Sequence, residues 1–264
     1  MSQRRYQPAR VSALRALGGG YHHLILEAPH LAAGEVGSFA LLSVRAVDAA
    51  AVDPLLPRPF SFLSRDPGRG EVEIFFKEVG RGTREMARWT PGTRVQTLGP
   101  LGHGFRPPGR RRVVLLAGGV GMPPLLDLGT ELARDHAVTC YYGGRSEADL
   151  HFLERFAAAG IELVTCTDDG SAGVSGTNVD AFRAWLGQGG GEGPAVYACG
   201  PTPMMRAAAE LCEGAGLPLQ FSLEANMACG IGICRGCAVA RSEGEGYAMV
   251  CQDGPVFFAG EVRP

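Results

Sequence analysis

The sequence predicts a multidomain β plus α/β protein: an N-terminal antiparallel β-barrel over residues 1–108, a parallel-sheet α/β domain over 109–219 and a small cysteine-rich unit over 220–264. Three observations carry this reading. Up to about residue 108, short β-branched or aromatic runs alternate with Gly and Pro clusters, the mark of a barrel or sandwich. From Arg110 onward, apolar strand-like runs alternate with helix-like segments, the mark of a parallel sheet. Finally, four of the eight cysteines crowd into the last 36 residues. A chain of 264 residues suits two cores and an appendage rather than one small core.

In the first part, Tyr21–Leu26, Phe39–Val44 and Val72–Phe76 read as strands, separated by Gly18–Gly20, Pro67–Gly70, Pro91–Gly92 and Gly99–Gly104. Phe105–Gly109, with Pro107–Pro108, reads as a linker. Strands are then expected at Val113–Ala117, Val138–Tyr142, Ile161–Thr165 and Ala195–Cys199. Helices are expected at Pro124–Asp135, near Ser146–Ala158, at Asn178–Leu186 and at Thr202–Glu213, the last with a threonine N-cap. From about Gln220 the alternation stops and a Gly- and Cys-rich stretch begins.

Composition excludes several classes. Apolar residues make up 45% and charged residues 20%, which argues against disorder. A formal net charge of −2 provides no field for nucleic acid or an anionic membrane. Lys77 is the only lysine among 25 cationic residues, and the arginines are scattered apart from Arg110–Arg112. The N-terminus, Met1–Arg10, is polar and basic with no apolar run behind it, and Val113–Leu126 is too short and Gly/Pro-broken to span a bilayer. A soluble, cytoplasmic protein is the expectation.

The strongest local pattern is Cys229-x4-Cys234-x2-Cys237, with Cys251 following. The first three have the plant-type spacing for a [2Fe–2S] cluster. Four thiolates must converge on two irons, three of them from one loop, so Gly230, Gly232 and Gly236 are expected to supply positive φ and close N–H approach. Structural zinc is the alternative, but it favours paired C-x2-C hooks and only one is present. Cys140, Cys166 and Cys212 read as small buried residues.

Further motifs are weak singly. Arg58-Pro59-Phe60-Ser61 offers a guanidinium for a phosphate oxygen and a hydroxyl for a flavin ring. Gly80-Arg81-Gly82-Thr83 places Gly80, Gly82 and Thr83 at a helix start suited to a pyrophosphate. Gly118-Gly119-Val120-Gly121, after the first strand of the α/β part, puts Gly119 and Gly121 where the backbone turns under a dinucleotide. Cys199-Gly200-Pro201 lies at a strand end where a nicotinamide could rest. The pair His22–His23 sits in a strand-like run, pointing to opposite faces and so unsuited to one metal.

In order, GSF (37–39), RPFS (58–61), GRGT (80–83), GPLG (99–102), GGVG (118–121), GGR (143–145) and CGP (199–201) resemble the ferredoxin–NADP reductase superfamily. The run Ser222-Leu223-Glu224-Ala225-Asn226-Met227-Ala228-Cys229-Gly230-Ile231-Gly232-Ile233-Cys234, with Cys251-Gln252-Asp253-Gly254-Pro255-Val256-Phe257, is similar to the electron-transfer subunits of class 1B, NAD-linked dihydroorotate dehydrogenases. That resemblance implies FAD held by the RPFS residues, Gly82 and Thr83; NAD at Gly119, Gly121, Cys199 and Gly200; and a [2Fe–2S] cluster on Cys229, Cys234, Cys237 and Cys251. It also implies an FMN-containing dihydroorotate dehydrogenase catalytic subunit as partner, in a heterotetramer with two copies of each chain. Electrons would pass from FMN singly through the cluster to FAD and leave as hydride to NAD, with no acid–base residue for dihydroorotate on this chain. Pro57 stands where the family often has a second arginine, and Ser38 where glutamine is common. The cluster loop near Ala225–Ile233 and Gly254–Phe257 is expected to meet the partner.

The rival readings are a flavin/iron–sulfur reductase subunit of a ferredoxin–NADP transhydrogenase or a hydrogenase complex, and, from another class, a zinc-binding interaction protein. Arg145 leaves NADP open against NAD, because it could meet a 2′-phosphate.

Overall fold

The computed structural model describes residues 4–50, 53–189 and 193–263. The first part contains β1 (Arg5–Gly18), β2 (Tyr21–Glu27), α1 (Pro29–Ala32), β3 (Phe39–Ala46), β4 (Arg58–Ser61), β5 (Ser64–Asp66), β6 (Glu71–Lys77), α2 (Arg81–Met86) and β7 (Arg94–Leu101). The seven strands form one antiparallel sheet in the order β4-β3-β7-β1-β2-β6-β5. The expected antiparallel barrel is thus present. Its longest strand, β1, was not anticipated: a register shift between Val11 and Ala13 against β2 breaks the period-two pattern by which a strand is read.

Alternation along β3 shows how the layers are built. Ala40, Leu42 and Val44 point into the barrel core with Leu24, Val72, Ile74 and Val95. Phe39 and Leu41 point the other way, yet they are equally buried. The cysteine loop covers Leu41: a Cβ on Gly230 would lie 2.7 Å from Leu41 Cδ1 and 2.9 Å from Leu101 Cδ1. Each leucine so covered contributes about 1.5–3 kcal/mol of burial.

Three buried histidines of the barrel are each paired through Nε2. His22 Nε2 lies 2.6 Å from Glu78 Oε1, while His23 Nε2 bonds Glu73. The two imidazoles serve different carboxylates, as opposite strand faces require. His30 is fixed more tightly. The Thr97 hydroxyl donates to Gln7 O at 2.8 Å, so its lone pair accepts from His30 Nε2 at 2.9 Å. That leaves the buried Nδ1 with no hydrogen-bonding neighbour to receive a proton's N–H. Burial first, and then the charge of Arg5, lower the His30 pKa from 6.5 to about 4. Because the folded pKa is depressed, the unfolded chain binds a proton that the folded chain refuses below pH 6.5. Stability should therefore fall as pH drops from 6.5 toward 4, at about 1.4 kcal/mol per pH unit from this group. In urea titrations at pH 7 and pH 5, His30→Gln should lose roughly 2 kcal/mol less than the parent over that interval. Equal losses would show that His30 does not set the slope.

The second part runs through β8 (Arg112–Gly118), α3 (Pro123–Leu132), β9 (Ala137–Gly144), α4 (Leu153–Ala158), β10 (Glu162–Thr167), β11 (Val174–Ser175), α5 (Asn178–Gly187), β12 (Ala195–Cys199), α6 (Thr202–Gly214) and β13 (Leu219–Ser222). After the short paired strands β14 (Ala238–Ala240) and β15 (Tyr247–Met249) comes β16 (Val256–Phe258). The sheet order is β11-β10-β9-β8-β12-β13-β16, parallel except for β16, which pairs antiparallel to β13. Central strands are apolar throughout, as a sheet covered on both faces requires: Val113–Ala117 and Ala195–Cys199 are all buried.

Three local expectations are corrected. The segment 146–158 is not one helix: a 3₁₀ turn at Glu147–Asp149 is separated from α4 by Phe152 at φ 59°. The N-cap of α6 is Pro201, and Thr202 is its first helical residue. The stretch after Gln220 does contain regular structure, since β13 and β16 extend the parallel sheet. By internal contacts the chain divides into two units: the barrel with Glu224–Val239 and Tyr247–Pro255, and Phe105–Leu223 with Ala240–Gly246 and the residues from Val256 onward. Among the described residues, no helix is long and apolar enough to cross a membrane.

Candidate functional site

The cysteine loop is held on the outer face of the barrel sheet. Gly230 (φ 67°) presses on Leu41 and Leu101, while Gly232 (φ 83°) turns beneath Gln252, whose Oε1 lies 2.0 Å from where a Cβ would be. Gly102 (φ 77°) gives the second anchor, with Pro255 packed against it and His103 N–H donating to Gly254 O at 2.7 Å. The third expected glycine, Gly236, has an ordinary φ. The left-handed residue is its neighbour Arg235 (φ 58°).

The four sulfurs occupy unequal surroundings. Cys237 and Cys251 are buried, Cys229 is half-buried and Cys234 is exposed. Backbone N–H groups point at the sulfurs: Ile231 at 3.5 Å and Cys234 at 3.4 Å to Cys229 Sγ, and Gly232 at 3.1 Å to Cys251 Sγ. Desolvation alone would push the Cys229 thiol up, but the N–H groups of Cys234 and Ile231 outweigh it and bring the pKa to about 7. Cys251 is pushed up to about 12, by burial first and then by Cys237 beside it.

The Cys237 and Cys251 sulfurs lie 3.3 Å apart. Two thiolates on one tetrahedral metal at about 2.3 Å are about 3.7 Å apart, so this pair is spaced to share a metal. Two buried thiols this close cannot both ionise unless a cation neutralises them. Among the described residues, no three His, Cys, Asp or Glu side chains converge on a single metal position. A two-iron group instead takes its thiolates as two pairs, and the loop presents one buried pair and one outer pair. The residues present fit a [2Fe–2S] cluster.

On the barrel, RPFS is the edge strand β4, with Pro59 paired to Leu41, Phe60 to Ala40 and Ser61 to Phe39. Alternation puts Phe60 toward the core, 5.9 Å from Phe76, and Arg58 on the same side. The guanidinium lies over the start of α2: a Cβ on Gly82 would be 3.0 Å from Arg58 Nε and Nη2. Arg58 also donates to Leu56 O at 2.7 Å. The structure therefore brings Arg58 and Gly82 together, with the guanidinium close against the helix start. Thr83 is used differently. Its hydroxyl accepts from Val79 N–H at 2.9 Å and Gly80 N–H at 3.2 Å, so it closes the turn that presents Gly80 and Gly82. A guanidinium beside a helix start suits a phosphate.

In the parallel sheet, β9 and β12 lie on opposite sides of β8, so the strand order reverses there. Ligands of open parallel sheets bind at such a point, outside the carboxyl ends of the strands. Both predicted turns are found there. A Cβ on Gly121 would lie 2.5 Å from Cys199 O and 2.7 Å from Gly200 N, and one on Gly200 would lie 3.0 Å from Gly118 Cα. Gly119 (φ 52°) faces open space. The remaining cysteines are inert by burial: desolvation pushes Cys166 to about 11 and Cys212 to about 12, and raises Cys140 further. Two side chains beneath these turns, Asn178 and Met204, were not singled out by the sequence, because no motif marks a residue that supports a loop from below.

An antiparallel barrel bearing a thiolate loop, with a parallel sheet whose glycine turns meet at a switch point, defines an iron–sulfur reductase built to hold FAD and a nicotinamide dinucleotide. Residues 224–263 match the iron–sulfur cluster binding domain of dihydroorotate dehydrogenase B, and residues 115–210 match the oxidoreductase NAD-binding domain. The chain is 42% identical over 86% of its length to the dihydroorotate dehydrogenase B (NAD(+)) electron transfer subunit of Geobacillus thermodenitrificans, covering 86% of that protein. It is 34% identical to that of Desulforamulus reducens, over 94% of this chain and 95% of the relative. The chain belongs to this family of electron transfer subunits. Among solved structures, an NADH-dependent reduced ferredoxin–NADP oxidoreductase superposes with a TM-score of 0.84 at 25% identity, over 96% of this chain and 89% of the other. A Neisseria gonorrhoeae ferredoxin–NADP reductase with bound FAD and NADP shares the fold, with a TM-score of 0.68 at 17% identity, over 80% of this chain and 92% of that one. Sequence identity thus places the chain with the dihydroorotate dehydrogenase B electron transfer subunits, and the reductase structures share its fold.

Proposed function

We propose that this chain carries electrons between an FMN-bearing dihydroorotate dehydrogenase catalytic subunit and NAD, within a cytoplasmic heterotetramer of two copies of each chain. The reading assigns FAD to residues 1–108, NAD to 109–219 and the cluster to 220–264. The observation that carries it is the presence, on one chain, of a thiolate loop seated on a barrel and a glycine-lined switch point. When bound, the cluster supplies one-electron carriage, FAD the exchange between one- and two-electron chemistry, and NAD the hydride acceptor.

The chain's own residues position and tune. Cys229, Cys234, Cys237 and Cys251 would ligate the irons. The N–H groups of Ile231, Gly232 and Cys234 stabilise the more negative state at the sulfurs and so raise the potential. Arg58 would clamp phosphate oxygens over Gly80 and Gly82, with Thr83 holding the turn, Pro59 and Phe60 fixing the strand and Ser61 near the flavin ring. Gly119, Gly121, Cys199 and Gly200 would shape the nicotinamide site. Ile233, 77% exposed at the outer rim of the loop, suits contact with the partner, whereas Phe257 is buried on β16 and does not.

An anaerobic absorption spectrum before and after NADH tests this. Flavin bands over a broad iron–sulfur background should appear, and both should bleach. A colourless, zinc-containing protein after reconstitution would overturn the reading in favour of a binding protein.

A further inference from the structure

The two glycine turns at the carboxyl edge of the parallel sheet and the glycine end of β9 share one support. Asn178, the first residue of α5, is buried, and its Nδ2 donates to Ala117 O at 2.8 Å and to Tyr141 O at 3.3 Å. Those carbonyls lie near the carboxyl ends of β8 and β9, just before the Gly118–Gly121 turn and the Gly143–Gly144 end of β9. The same Nδ2 is 3.3 Å from Met204 Sδ. Met204 in turn sits under the other two turns, since a Cβ on Gly118 would lie 2.8 Å from its Sδ and one on Gly200 2.6 Å from its Cε. The nearest atoms to a Cβ on Gly143 belong to Asn178, with its Cγ at 3.2 Å. The glycines at 118, 143 and 200 each border one of these two side chains, with Pro201 also close to Gly118 and the Gly118 backbone close to Gly200.

We propose that Asn178, with Met204 beside it, is the positioning residue that sets the mutual heights of the two turns and the end of β9, and thereby the affinity of this edge for NAD. The proposal rests on the assignment of NAD to this edge. An amide suits the task because its two N–H bonds can reach the carbonyls of two neighbouring strands at once. Replacing it leaves both carbonyls without that donor and frees β8 and β9 to shift at their ends. The effect should fall on binding rather than on the chemical step, because Asn178 is covered by the turns that would touch the nucleotide.

The test is calorimetric titration of the full-length protein with NAD+, which needs no turnover, beside flavin reduction by saturating NADH. Asn178→Ala should raise the Kd for NAD+ about tenfold or more, equivalent to ~1.4 kcal/mol, while the limiting rate of flavin reduction stays within about twofold of the parent. An unchanged Kd overturns the proposal, as does a limiting rate that falls in step with affinity. Should Asn178→Ala fail to fold, Gly143→Ala decides, because its Cβ displaces the same amide by only a few tenths of an ångström: weaker NAD+ binding supports the proposal and unchanged binding overturns it. A parent protein that binds no NAD+ would instead refute the NAD assignment itself.

Discussion

Cys237→Ser should abolish electron transfer from dihydroorotate to NAD in the complete complex while leaving NADH reduction of the bound flavin within about twofold of normal. The expected loss exceeds about 100-fold, because a serine hydroxyl does not ionise near neutral pH and is a poor ligand for iron. Position makes the loss severe. Cys237 is 3% exposed, so no water can take the vacant ligand place, and its sulfur is 3.3 Å from that of Cys251, which would be left buried without its pair. Cys234 provides the internal comparison, since it is exposed and Cys234→Ser admits solvent oxygen to the same role. That variant should keep part of its iron by elemental analysis where Cys237→Ser keeps none. Full dihydroorotate-to-NAD activity in Cys237→Ser would remove the loop from the electron path.

The cysteine loop could be read from sequence because three cysteines within nine residues, spaced by glycines, record a tight loop directly in their spacing. The same holds for the apolar strands β8 and β12, where burial on both faces leaves no polar alternation to confuse. Elements whose cause is tertiary were harder. The bulge in β1 hid a fourteen-residue strand, and β16 is only three residues long and pairs with a strand some forty residues earlier. Leu41 gave no hint that it would be covered by a loop almost two hundred residues away. Thr83 shows the limit of motif reading: the residue type was singled out, but its hydroxyl is spent on the turn. Asn178 and Met204 carry no motif at all, although the three glycines above them do.

Gly121 and Gly119 separate two reasons for a glycine within one turn. Gly121 has an ordinary φ, so its need is steric: a Cβ would lie 2.5 Å from Cys199 O and 2.6 Å from Cys199 C. Those are backbone atoms of the neighbouring strand end, and they can yield only if the β8 and β12 turns separate. Overpacking of this kind costs about 1–3 kcal/mol. Gly121→Ala should lower the melting temperature of the protein by roughly 5 °C without any nucleotide present and raise the Kd for NAD+ by about 30-fold or more, at ~1.4 kcal/mol per tenfold. Gly119 is the reverse case. Its φ of 52° is left-handed and its Cβ direction is open. Gly119→Ala therefore costs only about 1–2 kcal/mol of backbone strain, and it weakens NAD+ binding in so far as the dinucleotide approaches that open side. Melting curves and NAD+ titrations of the two variants test both statements. If Gly121→Ala bound NAD+ as the parent does, the close approach of the two turns would have no part in forming the site, and the switch point would be only a feature of packing.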